Sequence, residues 1–424
     1  MPYEDKMTID ERRKYLQRMK KRYDEADRKG KGELLDEMER YTDLHRQSLI
    51  RLMNGALHRK PRCRERGRTY GPEVDDALRI IAESRDDICA ERLQPTLAKM
   101  AKHLAAHGEL ETTPELLDQL GRISVSTVRR RLNHSRQDQC RLPQRTGRKP
   151  NKVLQQVPMV RIPWDEQEPG HFEVDLVHHS GPITSGDYIC SLQMIDVATA
   201  WSERAAVLGR SYVVMQDAFQ YLLTHIPFPV LEVHPDNDSA FFNQHMFRFW
   251  GDKVADAHLS RSRPYHKNDN RFVEQKNFTL IRAYLGDGRL DTVAQTWALN
   301  HLYERMWRYY NFFQPVMRLK EKIVIPGTDG QPARVKKKYD EAHTPFERLV
   351  ATNVLTPECQ AQMETMYEQT NPCQLRREIY DRLEYIFALD GAVPGVAQNI
   401  YLTLRTSPLR ELLDDGVPNC GTGP

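Results

Sequence analysis

His171-Phe-Glu-Val-Asp-Leu-Val-His178 sets acids on alternate positions of an apolar, β-branched run and reads as a strand. An ionised carboxylate at Asp175, among Phe172, Val174, Leu176 and Val177, is costly to remove from water unless a cation or a hydrogen-bonding partner meets it. Strand alternation sets Glu173 on the same face as Asp175.

Working outward, Asp187 to Val197 and Trp201 to Leu208 read as two more strands, joined into a meander by turns at Ser180-Gly-Pro and Ala198-Thr-Ala. Ser211 caps a helix running to Thr224. A fourth strand covers Val230 to His234, a helix Ser239 to Trp250, and a fifth strand Ala257 to Arg263. Asn268-Asp-Asn270 then caps a helix carrying Phe272, Val273, Glu274, Phe278, Ile281 and Leu285. The order βββαβαβα predicts an α/β core, a mixed five-stranded sheet with helices on its faces. That order can bring to one edge Asp175, the Asp236 that ends the fourth strand in Val233-His-Pro-Asp-Asn-Asp238, and Glu274 on the last helix. Three such carboxylates suit a pair of hard divalent cations, the chemistry of in-line phosphodiester displacement.

Upstream, the chain to about residue 133 reads as helical. Gly32 to Glu39 with Leu34, Leu35 and Met38 precedes His45 to Met53, and Pro114 to Leu120 precedes Ser124 to Leu132. Each pair reads as a helix-turn-helix or as a plain helical hairpin. On the first reading His45, Arg46, Gln47 and Arg51 of one pair face DNA, with Ser126, Thr127, Arg129 and Arg130 of the other. Leu49 and Val128 belong to the core. Residues 134–163 are polar, basic and proline-bearing, a linker. Ile323 to Tyr339 reads as a basic hairpin. After about residue 352 helices return, with Leu375, Ile379, Leu383 and Ile386 at helical spacing for a core or subunit contact.

The chain's 424 residues suit two to four domains. A formal net charge of only +3 argues little, but basic residues crowd His58 to Arg68, Arg129 to Arg131, Arg145 to Lys152 and Lys336 to Lys338. Such clusters suit phosphate contacts, or are solvated faces. Seven scattered cysteines without a Cys-x-x-Cys pair argue against a disulfide framework or a zinc site. No apolar leader or membrane-length apolar run is seen, so a cytoplasmic, nucleoid-associated protein is expected.

Asp175, the Asp236-Asn237 pair with Phe241 beyond it, and Pro264-Tyr265-His266 leading to Glu274 resemble the retroviral-integrase-like DDE transposases of bacterial insertion sequences. Asp236 stands 61 positions after Asp175, and Glu274 stands 38 positions after Asp236. Asn300-His-Leu-Tyr303, Tyr309 to Pro315 and Thr344 to Leu349 extend the likeness over roughly residues 165–350. Where the family commonly has Gly and then Glu after Asp-Asn, this chain has Asp238 and Ala240.

The resemblance implies an RNase H-like catalytic core in which Asp175, Asp236 and Glu274 are catalytic and hold two Mg²⁺ (or Mn²⁺) ions. It implies DNA strand transfer on element ends and target DNA, with Lys267 and Lys276 holding DNA ends. A homo-oligomeric synaptic complex follows, with no membrane and no nucleotide cofactor. Glu173 is not at a position the family uses as a ligand. The expected domains are helix-turn-helix regions over 1–68 and 69–133, a linker over 134–163, the core over 164–320, the hairpin and core extension over 321–352, and a C-terminal helical region over 353–424. A non-catalytic, domesticated DNA-binding protein and a metal-dependent nuclease of the same fold are the alternatives.

Overall fold

The computed structural model of the chain describes residues 7–55, 57, 70–135, 166–236, 238, 240–241, 244–253, 257–260, 270–325 and 334–404. The chain divides into two compact units, Met1–Thr69 and Tyr70–Pro424.

The first unit is three helices, α1 (Ile9–Glu25), α2 (Arg28–Thr42) and α3 (Arg46–Asn54). Each start is written in the sequence. Thr8 and Glu11 form a capping box on α1, and the Asp27 carboxylate accepts the Gly30 N–H at the start of α2. The α2–α3 turn passes through Asp43, whose positive φ of 54° is tolerated by a short polar side chain. The helices close on Leu16, Met19, Leu35, Met38, Leu49 and Met53. Lys20 of α1 donates to the carbonyls of Met53 and Gly55, neutralising the open C-terminal end of α3.

The second unit begins with α4 (Pro72–Glu83), α5 (Ala90–Leu93), α6 (Leu97–Ala106), α7 (Pro114–Arg122) and α8 (Val125–Ser135). Their apolar faces, through Leu78, Leu97, Leu120 and Val128, are continuous with the core beneath the sheet. Polar ties run the same way. Arg92 donates to the Pro315 carbonyl at 3.3 Å, and Asp86 accepts from Arg376 at 2.6 Å and from Tyr380 at 3.1 Å.

The sheet has strands β1 (His171–His178), β2 (Ile189–Asp196), β3 (Ser202–Leu208), β4 (Glu232–Pro235) and β5 (His258–Leu259), in the order β3-β2-β1-β4-β5. The meander β1–β3 is antiparallel, while β4 and β5 run parallel to β1. Helices α9 (Tyr212–His225) and α10 (Gln244–Lys253) make the crossovers. This mixed sheet flanked by helices is the expected architecture. The strands β2 and β4 both begin two residues later than the sequence reading has them, and two boundaries differ more. The helix expected from Ser239 is described from Gln244, after a turn at Ala240 and Phe241. The fifth strand pairs only through His258 and Leu259, and residues 261–269 lie outside the described set.

Gly170 opens β1 at φ 120°, where a Cβ would come 2.7 Å from the Pro229 carbonyl oxygen. Its N–H bonds the buried Asp196 carboxylate, which also accepts the Thr199 N–H and hydroxyl and so shapes the β2–β3 turn.

Beyond β5, α11 (Arg271–Lys276) runs through a π-helical segment, Asn277–Arg282, into α12 (Ala283–Leu285). Then come α13 (Val293–Arg308) with a second π segment Tyr309–Phe313, β6 (Leu319–Ile325), β7 (Arg334–Tyr339), α14 (Pro345–Ala351), α15 (Pro357–Gln369) and α16 (Pro372–Ala388). β6 and β7 form the expected basic hairpin, with Lys336, Lys337 and Lys338 exposed and its tip outside the described residues. Leu375, Ile379, Leu383 and Ile386 are buried in a core shared with α13; each such side chain contributes about 1.5–3 kcal/mol. Cys89, Cys190 and Cys373 are free, whereas Cys359 is disulfide-bonded, which the scattered spacing did not suggest.

Candidate active site

Asp175 and Asp236 are brought together by strand register. β1 and β4 pair in parallel from His171↔Glu232 to Val174↔Pro235, and the Asp236 N–H donates to the Val174 carbonyl at 3.2 Å. Asp236 follows directly on the last paired residue of β4, as Asp175 follows Val174 on β1, and its charge bears on Asp175. Asp175 is half-buried and Asp236 exposed. The Asp175 carboxylate accepts the Leu176 N–H at 2.8 Å and the Asn277 side-chain amide at 2.6 Å. Burial, then the adjoining charge of Asp236, pushes its carboxyl up to about 8, and Glu274 and Asp238 act in the same direction.

Glu274 reaches this acid edge, beside the C-terminal end of β4, on α11, and two contacts fix that helix against β1. Glu173, fully buried, accepts the N–H of Phe272 at 2.7 Å and of Val273 at 3.0 Å. Asn277, one turn beyond Glu274, holds Asp175. It is also the first residue of a π segment, a device often found at functional sites. Glu274 is exposed between these contacts, and its charge is felt by both Glu173 and Asp175.

Asp238 adds a fourth acid. His178 lies 3.6 Å and Arg210 3.7 Å from its carboxylate, and the His178 bond is the largest cause of its lowered pKa. His179 is structural: it is buried and hydrogen-bonded to Ser191, which in turn meets Tyr303.

The carboxylate oxygens of Asp175, Asp236 and Glu274 are hard donors of the kind that suit Mg²⁺ or Mn²⁺. Among the described residues, however, no group of three or more His, Cys, Asp or Glu side chains is drawn close enough to hold a metal ion.

The residues expected to contact DNA have varied settings. His45 caps α3, accepting the Gln47 N–H at 3.3 Å, and Gln47 and Arg51 are exposed. Arg46 is tied back to α2: it pairs with Asp36, and its N–H bonds Glu39 at 3.1 Å. On α8, the Ser126 and Thr127 hydroxyls bond Ser124 at 3.1 and 3.0 Å, Arg129 pairs with Glu91, and Arg130 is exposed. Leu49 and Val128 are fully buried, as expected of core. Lys276 is no solvent-facing lysine. Its ammonium lies 4.7 Å from the Tyr310 ring centroid, and burial, aided by Arg92, Arg204 and Arg348, lowers its pKa to about 7. Lys267 lies outside the described residues.

Sequence reasoning missed Asn277, Arg210 and the use made of Glu173. Only for Glu173 was there a signal, its place on the Asp175 face of β1.

No family model matches this chain. The chain is 34% identical over 328 residues to the uncharacterized protein y4rM of Sinorhizobium fredii, covering 77% of this chain and 91% of that one. Among solved structures, the integrase catalytic core of HTLV-2, in complex with magnesium, is 17% identical at a TM-score of 0.26, covering 35% of this chain and 90% of its own. The BIV integrase core is 16% identical at 0.26, with coverage of 43% and 96%. A simian T-cell lymphotropic virus intasome chain is 13% identical at 0.29, with coverage of 58% and 99%.

Proposed function

This chain belongs to the family of the uncharacterized protein y4rM of Sinorhizobium fredii, and because that name carries no activity we propose one from the site: a DNA transposase or integrase that cuts and joins DNA at its element's ends. The observation that carries this reading is that Asp236, directly past the end of β4, and Glu274 both bring their charge to bear on Asp175 of the adjoining parallel strand β1. Like charges gathered at a half-buried edge are unfavourable by themselves, and a functional site is where such strain is retained.

Asp175, Asp236 and Glu274 would hold two Mg²⁺ (or Mn²⁺) ions, which when bound supply an activated nucleophile and stabilise charge on the departing 3′-oxygen. The protein's own part is to orient: Asn277 holds the Asp175 carboxylate, and the β1–β4 register fixes Asp236 relative to it. The pairs α2–α3 and α7–α8 serve as helix-turn-helix readers of the terminal repeats. Exposed Arg51 and Arg130, and the lysines of β7, meet phosphates. Synapsis of two ends calls for a homo-oligomer, and no nucleotide cofactor is needed. The work is placed in the cytoplasm, on nucleoid DNA.

The test is nicking and joining of a supercoiled plasmid carrying the flanking DNA, with Mg²⁺ or Mn²⁺, by wild type and Asp236→Asn. Metal-dependent nicked and joined products from wild type alone are expected. Nicking without joining would make the protein a nuclease. Gel shifts without any product from either protein would leave a DNA-binding protein.

A further inference from the structure

We propose that Glu173 is a positioning residue: from strand β1 it caps the helix that carries Glu274, and so sets where Glu274 stands relative to Asp175. The inference rests on the strand-transferase reading for its consequence, though not for its geometry.

Helix α11 lacks a cap of its own. Its N-cap residue, Asn270, makes no side-chain cap bond, and both polar atoms of its amide are buried without a hydrogen-bond partner. The open N–H groups of Phe272 and Val273 are met instead by a single oxygen of Glu173, Oε2, at 2.7 and 3.0 Å. The other oxygen, Oε1, is buried and has no hydrogen-bond partner. Both hydrogen bonds of the carboxylate therefore go to the helix terminus, and the Arg271 charge at that same terminus also bears on it. Since Glu173 and Asp175 lie two residues apart on one strand face, the cap ties α11 to the strand that bears Asp175. The Asn277–Asp175 bond closes the same connection from the other side of Glu274.

Because both capping bonds end on one oxygen, the amide oxygen of Gln can take its place, whereas Ala removes both. The experiment uses the full-length chain as wild type, Glu173→Ala, Glu173→Gln and Asp236→Asn. Amide hydrogen exchange is followed across residues 270–285, and Mn²⁺ binding is titrated by electron paramagnetic resonance with the metal as its only ligand. In Glu173→Ala the amides at the start of α11 should exchange about tenfold faster, with β2 and β3 unchanged. Mn²⁺ affinity should fall about 10- to 100-fold. Glu173→Gln should restore wild-type exchange and most of the affinity.

Unchanged exchange at α11 in Glu173→Ala would overturn the proposal. So would a Glu173→Gln variant that folds but loses Mn²⁺ as completely as Asp236→Asn, because Glu173 would then be a ligand. A failure of strand transfer is read separately: wild type that binds no Mn²⁺ and makes no joined product sinks the enzymatic reading, while exchange still decides the cap.

Discussion

The acid edge beside the C-terminal end of the interior strand β4 and the basic face of α8 hold their charges under opposite conditions. At the edge, half-buried Asp175 feels the charge of Asp236, whose backbone N–H is held by the Val174 carbonyl next to Asp175. On α8, Arg129 is exposed and long, and it has turned to Glu91, as Arg131 has turned to Asp75. Charges fixed by backbone and poorly solvated interact strongly, so their energy must be relieved by protonation or a cation. Charges on exposed flexible stems gain about 0–1 kcal/mol from the nearest opposite charge and can exchange it for another. Strain at the edge is therefore informative about function, while a surface ion pair on α8 says little for or against DNA.

The largest test of this contrast is at the edge. Asp175→Asn should abolish plasmid joining, a loss of about a thousandfold or more, while thermal stability holds or rises because a repelling charge is removed. A joining rate within tenfold of wild type would show that the edge does no chemistry.

Core truncations come next, and they separate the two helical pairs. Leu49 and Leu120 are both fully buried, one in each compact unit. Changing either to Ala should cost about 2–5 kcal/mol. By hydrogen exchange, Leu49→Ala should open α1–α3 and spare β1–β3, whereas Leu120→Ala should weaken protection in the large unit. Equal loosening of both units by Leu49→Ala would contradict the division.

Glu203 offers a charge strained by burial away from the acid edge. It accepts the indole N–H groups of Trp201 and Trp307 at 2.8 and 2.7 Å, and burial raises its pKa to about 8. The folded chain then binds a proton that the unfolded chain releases above its ordinary value of 4.5. This group's contribution therefore favours folding at low pH and is lost as pH rises from about 4.5 towards 8, by on the order of a few kcal/mol. Denaturant titrations of wild type and Glu203→Gln between pH 5 and about 8 should show a slope that the variant flattens. Parallel curves would assign the buried carboxylate no such role.

The smallest effects are on α8. Exposed Arg130, changed to Ala, should weaken binding to element-end DNA by about 1–3 kcal/mol if it reads a base, or reduce the salt slope by about one if it meets a phosphate. Arg129→Ala should do less, since its guanidinium already pairs with Glu91. The reverse order in a salt-dependent binding series would mean that Arg129 leaves Glu91 for DNA.

Period was enough to find β1, the meander and the helix bearing Glu274, because strand and helix alternation are local properties of a few consecutive residues, whereas the side-chain caps expected of Ser211 and Asn270 are not made. The order of those elements, with Asp175, Asp236 and Glu274 in three of them, was enough to expect one mixed sheet with the acids at its edge. The fate of Lys276 was not readable. Whether a helix lysine meets water or an aromatic ring depends on what packs over it, here Tyr310 from a segment more than thirty residues away. The service of Glu173 to Phe272 and Val273 also joins residues about a hundred positions apart, and nothing in either stretch names the other. Sequence by itself determined the elements and which residues carry charge on which strand face. Only the tertiary structure decided which charges are buried, which are answered, and by whom, because desolvation and hydrogen bonding depend on neighbours that the chain brings together only by folding.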